Sequence, residues 1–200
     1  MTELVEYLKK YPSLLELYVR AHDFLPALRG VRIIVEPFTS TRETVLAYAC
    51  PRGERTWAVA FRDDPPDALT LLHELVHVAG GDELMAYNYA HFILHAIENN
   101  MPCFNVFDLL ELKLDDINDV LKEFAIENVI EYFALVGVIP TAIAEVEFER
   151  GGFALKLKRG VSEAEVVQTF LAELATALSF EPLARRIFAR LVERLRENRD

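Results

Sequence analysis

Cysteine is scarce in this chain of 200 residues, which contains only Cys50 and Cys103 and no C-x-x-C pair. So few cysteines exclude a disulfide-stapled scaffold and argue against a zinc site built from thiolates. We expect both cysteines to be small buried hydrophobic side chains, with a single disulfide bridge as the alternative.

Positively charged residues and long apolar runs are also few. The 21 Lys and Arg residues are outnumbered by 32 Asp and Glu residues, so the formal net charge is −11, whereas nucleic-acid binders usually carry a basic face. The longest apolar run, 132–144, is too short to span a bilayer. The acidic residues Glu3, Glu6 and Glu16 are unlike a secretory signal peptide. The sequence therefore predicts a cytoplasmic protein that binds neither nucleic acid nor membrane.

Glutamine occurs once, at Gln168, beside many Glu and Arg residues, a bias typical of thermophiles. The remaining composition, 52% hydrophobic and 26% charged, is that of an ordinary globular protein. A chain of this length can bury a sizeable core. We predict a single domain over 1–200, with an N-terminal part (1–100) and a mainly helical C-terminal part (101–200) that includes a β-hairpin.

The N-terminal part alternates between helical and strand-like patterns. Apolar residues at helical spacing predict helices within 3–29, with Pro12 starting the second. Three strand-like runs follow, and then two helices separated by Gly80-Gly81, a pair that suits a helix end, and Asp82, a good N-cap. The runs are 31–38, 44–50 and 56–62, and the helices are 67–79 and 82–99.

The C-terminal part is predicted to be helical on either side of a hairpin. Two helices are expected within 106–136, a hairpin about Gly151-Gly152 and a helix that starts at the capping box of Ser162 and Glu165. The final helix carries a stripe of apolar residues, which we interpret as packing on its own core. A homo-oligomer formed through this helix is the alternative. The stripe consists of Leu183, Ile187, Phe188, Leu191 and Leu195.

The most informative motif is His73-Glu74-Leu75-Val76-His77, which reads H-E-x-x-H within a predicted helix. Two histidines four residues apart lie on one helix face, where their imidazoles can bind one metal ion. Glu74 is then placed to handle the proton of a water molecule at that metal. A catalytic zinc site usually has three protein ligands, so a third must come from another segment.

In this segment the chain resembles the zincin metallopeptidases. It is similar in particular to the H-E-x-x-H-x-x-G-x-x-H pattern of the metzincins, with Gly80 in the glycine position and Glu83 where that family has its third histidine. The run Glu83-Leu84-Met85-Ala86 also resembles the E-x-x-A glutamate helix of the gluzincins. The resemblance implies that His73, His77 and Glu83 bind one Zn²⁺ per chain, as a His₂Glu set. Asp82 is the alternative third ligand.

The resemblance, which covers about 56–100, implies an α+β fold in which a small sheet packs on the H-E-x-x-H helix. It also implies a zinc-dependent hydrolase, most readily a metallopeptidase acting on a peptide or protein substrate, with Glu74 as general base and acid. Tyr48, Tyr87 and Tyr89 are candidates for stabilising the oxyanion. The run 56–62 is the expected edge strand for an extended peptide. Two alternatives are a metal-dependent hydrolase of another bond and a non-catalytic zinc-stabilised binding or regulatory protein.

His91 and His95 are also four residues apart, with Glu98 nearby. They begin two turns beyond Glu83, about 12 Å along the helix, so they cannot join the first site. We expect packed or supporting histidines here, with a second metal site as the alternative.

Overall fold

The computed structural model describes residues 1–124, 144–149 and 152–197. The chain is α+β, as predicted, and forms two compact units, Met1–Val106 and Phe107–Asp200. The prediction of a single domain is not tested by this division. The elements of the first unit are β1 (Thr2–Glu3), α1 (Leu4–Leu8), α2 (Pro12–Ala21), a 3₁₀ helix (Pro26–Leu28), β2 (Arg32–Val35), β3 (Ala47–Gly53), β4 (Thr56–Phe61), α3 (Ala68–Val78) and α4 (Glu83–Glu98).

The first unit contains a four-stranded mixed sheet in the order β1-β2-β4-β3. β4 pairs parallel with β2 and antiparallel with β3. The expectation that the run 56–62 is an edge strand is therefore wrong, because β4 lies inside the sheet and β3 lies at its edge. Four successive residues of β4, from Ala58 to Phe61, are buried, as is typical of a strand covered on both sides.

The predicted helix ends of α3 and α4 are confirmed. Asp67 caps α3 by accepting a hydrogen bond from the Thr70 backbone N–H at 2.8 Å. α3 ends before Gly80, whose φ of +102° favours glycine. The Asp82 carboxylate then accepts from the Met85 backbone N–H at 2.8 Å and starts α4. These caps fix both helix ends around a short connection.

Apolar faces hold the two helices in place. α3 buries Leu71, Leu72, Leu75 and Val76, and α4 buries a second set. The far end of α4 is held by Arg20 of α2, which donates to the backbone oxygen of Ile97 at 3.0 Å. The buried set on α4 is Ala86, Tyr89, Ala90, Phe92, Ile93, Ala96 and Ile97. Burial of this many apolar side chains makes the helix pair a firm support for the residues on its open face.

The second unit consists of helices and a hairpin. Its described elements are a 3₁₀ helix that starts at the unit boundary (Val106–Glu111), α5 (Leu114–Lys122), β5 (Ala144–Glu149), β6 (Gly152–Leu157), α6 (Glu163–Ala177) and α7 (Pro182–Glu197). β5 and β6 pair antiparallel, as the predicted hairpin requires. The capping box of Ser162 and Glu165 is present at the start of α6. The predicted helical stretch of 106–136 lies partly outside the described residues.

The apolar stripe of α7 is buried within this unit, which agrees with packing on its own core. Two arginines of the same helix form ion pairs with α5 and the residue that follows it: Arg190 with Glu123 at 2.6 Å and Arg194 with Asp119 at 2.6 Å. The predicted homo-oligomer remains untested.

The two cysteines differ from expectation. Cys50 is half-buried, Cys103 is exposed, and both are free, so the expectation of two buried side chains is wrong. Cys50 is on the edge strand β3 and Cys103 is in the irregular segment after α4, positions with little cover from neighbouring elements. None of the described helices has the length and apolar character needed to cross a membrane.

Candidate metal centre

The helical spacing of His73 and His77 brings their side chains together on one face of α3. The two Nε2 atoms lie 3.1 Å apart, and the ring centroids lie 4.8 Å apart. Both side chains are about one-fifth exposed. The two ring nitrogens therefore point to a common position that solvent can reach.

The turn after α3 brings Glu83 to the same position. Glu83 is the first residue of α4, and its carboxylate oxygens lie 3.4 Å from the Nε2 of His73 and 3.2 Å from the Nε2 of His77. Gly81 makes this turn tight, because a Cβ there would lie 2.5 Å from the Val76 side chain and 3.1 Å from its backbone oxygen. The three predicted ligands thus form a cluster whose ligand atoms all lie within 4.8 Å of one another.

The orientation of the His77 ring is set by the same turn. Its Nδ1 lies 3.0 Å from the backbone oxygen of Gly81. A carbonyl oxygen can only accept, so Nδ1 carries the proton and Nε2 of the neutral ring presents a lone pair. This arrangement, with one ring nitrogen bonded to a carbonyl and the other directed at the cluster, is typical of metal-binding histidines.

The spacing of the ligand atoms fits a tetrahedral ion such as Zn²⁺. Bonds of about 2.0–2.1 Å at tetrahedral angles place ligand atoms about 3.3–3.4 Å apart. The two Nε2 atoms lie 3.1 Å apart. The Glu83 carboxylate approaches them through different oxygens, Oε1 at 3.4 Å from His73 and Oε2 at 3.2 Å from His77, and each of these distances is near that value. Two imidazoles and one carboxylate are also a donor set that zinc commonly accepts. The residues present therefore fit a zinc ion.

The pKa of His73 favours the neutral ring that a metal needs. Burial lowers this pKa and the neighbouring His77 lowers it further, whereas the Glu83 carboxylate raises it. The net direction is downward, so the lone pair of His73 is available at neutral pH.

Glu74 is the most unusual carboxyl group of the site. It is only 4% exposed, and its Oε2 atom is buried without a hydrogen-bond partner among the described residues. Burial, followed by repulsion from Glu83, raises the pKa of Glu74 to about 8. A buried carboxyl group without a full set of partners is costly to stability, and such groups concentrate at functional sites.

The cluster opens into a cavity of about 770 Å³ within the first unit. β3 forms one wall, and the open faces of α3 and α4 form the others. All charged residues that line it are acidic. The lining residues are Thr44–Ala49, Pro51, Trp57, Asp67, Leu69, Thr70, His73, Glu74, His77, Gly81, Glu83, Tyr87, Ala90 and His91.

The structure separates the three candidate tyrosines. Tyr89 is buried and does not line the cavity, and the hydroxyl of Tyr48 lies 3.1 Å from the hydroxyl of Thr39 and 3.3 Å from the backbone oxygen of Pro37. Tyr87 is 64% exposed, lines the cavity and contacts His73 edge-on, with ring centroids 5.4 Å apart. Tyr87 is therefore the candidate that lies beside the ligand cluster.

The other predicted residues do not join the cluster. Asp82 caps α4, so its carboxylate is committed to the backbone of that helix. Among the described residues, His91, His95 and Glu98 form no second cluster of metal ligands. His95 lies 3.1 Å from the Asn99 side chain through Nδ1, whereas His91 lines the cavity.

Two parts of the site were missed from the sequence. The cavity wall formed by β3 depends on strand order, which the strand-like patterns do not specify. The position of His91 had a usable signal, because Glu83, Tyr87 and His91 are spaced four apart and so share one helix face.

No family model matches the chain, and neither does any curated protein sequence or solved structure. The zincin resemblance and the zincin-like packing therefore remain predictions that rest on the motif residues alone.

Proposed function

We propose that this chain is a zinc-dependent hydrolase, and specifically a metallopeptidase, in which His73, His77 and Glu83 hold one Zn²⁺ per chain. The observation that carries the proposal is the cluster of two Nε2 atoms and one carboxylate within 4.8 Å, beside the buried carboxyl group of Glu74. A structural zinc site needs no buried acid beside its ligands, whereas a hydrolytic site needs a base there.

Zinc at such a site lowers the pKa of water and polarises a substrate carbonyl. The chain's own part is proton transfer and positioning. Glu74 accepts the proton of the attacking water on a carboxylate oxygen and delivers it to the leaving nitrogen. In the metal-free chain, burial and repulsion from Glu83 raise the pKa of Glu74 to about 8, so this carboxyl group can exchange a proton in the neutral range. With zinc held by His73, His77 and Glu83, Glu74 would be favoured as the carboxylate that first accepts the proton, because a nearby cation lowers the pKa of a carboxyl group.

The oxyanion that forms during the attack needs a hydrogen-bond donor. Tyr87 is the candidate that lines the cavity next to His73. We assign its hydroxyl to this role. Because its ring is exposed at the cavity, it can approach a bound carbonyl without disturbing the core.

An extended peptide is the substrate that the cavity suits best. β3 is paired on one side only within the described sheet, and its residues line the cavity over much of its length. The free edge of a strand can pair with a peptide through backbone hydrogen bonds. Such pairing would place one peptide bond beside the ligand cluster.

The proposal is tested by replacing the acid without removing the metal ligands. Glu74→Gln should retain zinc and lose hydrolysis of a peptide library by at least about 100-fold, the range expected for loss of acid–base catalysis. Glu98→Gln, which changes an exposed carboxyl group on α4, is the matched control and should keep full activity. A wild type that holds zinc but cleaves no peptide would overturn the peptidase assignment and favour a zinc-stabilised binding protein.

A further inference from the structure

We propose that His91 determines substrate specificity by binding an extended peptide three to four residues away from the bond that is cleaved. This inference rests on the proposed function, since it concerns the same cavity. It assigns a role to the part of the cavity that lies two turns of α4 beyond Glu83.

The placement of His91 follows from one face of α4. Glu83, Tyr87 and His91 are each four residues apart, and all three line the cavity. Eight residues of helix span about 12 Å. An extended peptide advances about 3.3–3.4 Å per residue, so the distance from Glu83 to His91 corresponds to three or four residues of substrate.

The register of α3 against α4 shows which residues surround His91. His77 and His73 contact Glu83 at the start of α4, and His73 also contacts Tyr87 one turn later. The two helices therefore run in opposite directions, and Thr70, one turn before His73, is level with His91. The Thr70 hydroxyl already donates its proton to Asp67 at 2.8 Å, so the ring of His91 is the group that can donate a hydrogen bond to a ligand at this level.

The chemistry of His91 indicates an uncharged ligand group. Its side chain is half-buried, and burial lowers its pKa, so the ring is neutral at neutral pH. Within the described part of the chain no hydrogen bond to this ring is found. A neutral imidazole offers one donor and one acceptor, which suits a backbone amide, a hydroxyl or a carboxamide. Asp67 lines the cavity and bonds Thr70, which is level with His91, and its carboxylate opposes a free carboxylate in the same place.

Apolar side chains of the two helices also line the cavity. They are Leu69, next to Thr70 in α3, and Ala90, next to His91 in α4. A peptide would therefore bury apolar surface there while making its polar contact to His91. The length of the peptide, and not only the residues next to the cleaved bond, should then determine the rate.

The test combines His91 variants with peptides of different length. A peptide cleaved by the wild type is shortened one residue at a time from each blocked end. We expect kcat/KM to fall about fivefold to tenfold when the third or fourth residue on one side is removed, which is the factor expected for the loss of one hydrogen bond. In His91→Leu this loss should already be present, and further shortening should have little effect. His91→Gln keeps a donor and an acceptor and should retain part of the length dependence.

The matched control is His95→Leu, one turn farther along α4. His95 does not line the cavity, so this variant should keep the length dependence of the wild type. A His91→Leu protein that shows the full wild-type length dependence would overturn the inference. Equal loss of activity on peptides of every length would also overturn it, because it would indicate a structural role.

A binding measurement separates this inference from the proposed function. Trp57 is the single tryptophan of the chain and lines the cavity, so its fluorescence can report binding without hydrolysis. The probes are apolar peptides blocked by acetyl and amide groups, and they are added to Glu74→Gln protein. Peptides of eight residues should bind about tenfold tighter than peptides of four. In the double variant Glu74→Gln/His91→Leu, the two lengths should bind with equal affinity. This result would support the role of His91 even if the wild type hydrolysed nothing. Equal affinity for the two lengths, or no binding of either, would contradict it.

Discussion

At the scale of single residues, the site combines one exposed carboxyl group, which we propose as a metal ligand, and one buried carboxyl group. Glu83 is exposed over about three-quarters of its side chain, whereas its neighbour in the site, Glu74, is 4% exposed. The same residue type therefore has two different environments within one site. Exposure leaves the Glu83 carboxylate accessible to a metal ion, and burial raises the pKa of Glu74 into the range near neutrality.

The raised pKa of Glu74 predicts a pH dependence of stability in the metal-free protein. The carboxyl pKa is 4.5 in the unfolded chain and rises to about 8 on folding. Because the folded chain binds this proton more tightly, the stabilising contribution is complete below the unfolded pKa and is lost as pH rises through the folded pKa. The free energy of unfolding of chelator-treated protein should therefore fall between about pH 4.5 and about pH 8.

Urea unfolding at a series of pH values measures this fall. Glu74→Gln carries an amide that does not titrate, so its free energy of unfolding should fall less over the same range. Parallel curves of unfolding free energy against pH for the two proteins would contradict a buried, protonated Glu74.

The position of Tyr87 predicts a split between its effects on kcat and KM. Tyr87→Phe should lower kcat by about 100-fold, as for the removal of one oxyanion donor, with little change in KM or zinc content. Its affinity for a phosphinic peptide, which imitates the tetrahedral intermediate, should weaken by a similar factor. Calorimetry gives this second measurement independently of turnover.

Tyr48→Phe is the matched control for Tyr87, because Tyr48 lines the same cavity but its hydroxyl is held by Thr39 and Pro37. It should keep kcat near the wild-type value. Comparable losses in both variants would argue that removing any cavity hydroxyl perturbs the site, and would remove the specific role of Tyr87.

At the scale of elements, the connection from α3 to α4 brings Glu83 beside His73 and His77 and so completes the cluster of three side chains. Gly80 adopts a positive φ, Gly81 packs against Val76, and Asp82 caps α4. These features depend on neighbouring residues along the chain, so they could be predicted from the sequence. The edge position of β3 could not, because it depends on pairing between β2 and β4, which are separated along the chain by β3 itself.

The tight turn predicts that Gly81→Ala will weaken both folding and metal binding. Its new Cβ would lie 2.5 Å from the Val76 side chain and 3.1 Å from the backbone, and overpacking of this kind costs about 1–3 kcal/mol. Displacement of the turn would also move Glu83 away from the histidines. Urea unfolding and competition with a zinc indicator measure the two effects.

A second substitution distinguishes the causes of this loss. Val76→Ala in the Gly81→Ala background removes the closer of the two contacts and should recover part of the lost zinc affinity beyond what Val76→Ala does alone. Zinc affinity in Gly81→Ala equal to that of the wild type would show that the turn does not position Glu83.

At the scale of the whole molecule, every residue of the candidate site belongs to the unit Met1–Val106. The ligands and Glu74 lie within eleven consecutive residues, which is why they could be predicted as a set. The cavity draws on β3, β4 and both helices, from Thr44 to His91. Its shape arises from tertiary packing, which no local pattern specifies, so the substrate-binding half of the site required the structure.

The most direct test of the account is the number of zinc ions bound per chain. Protein purified without a histidine tag should contain about one zinc per chain by elemental analysis, since three ligand atoms meet at one position. Glu83→Ala should weaken zinc affinity by at least about tenfold, the range for loss of even a supporting group. Asp82→Asn, which preserves a capping side chain, should leave the affinity unchanged. A wild type without zinc, or Glu83→Ala with unaltered affinity, would contradict the three-ligand zinc site.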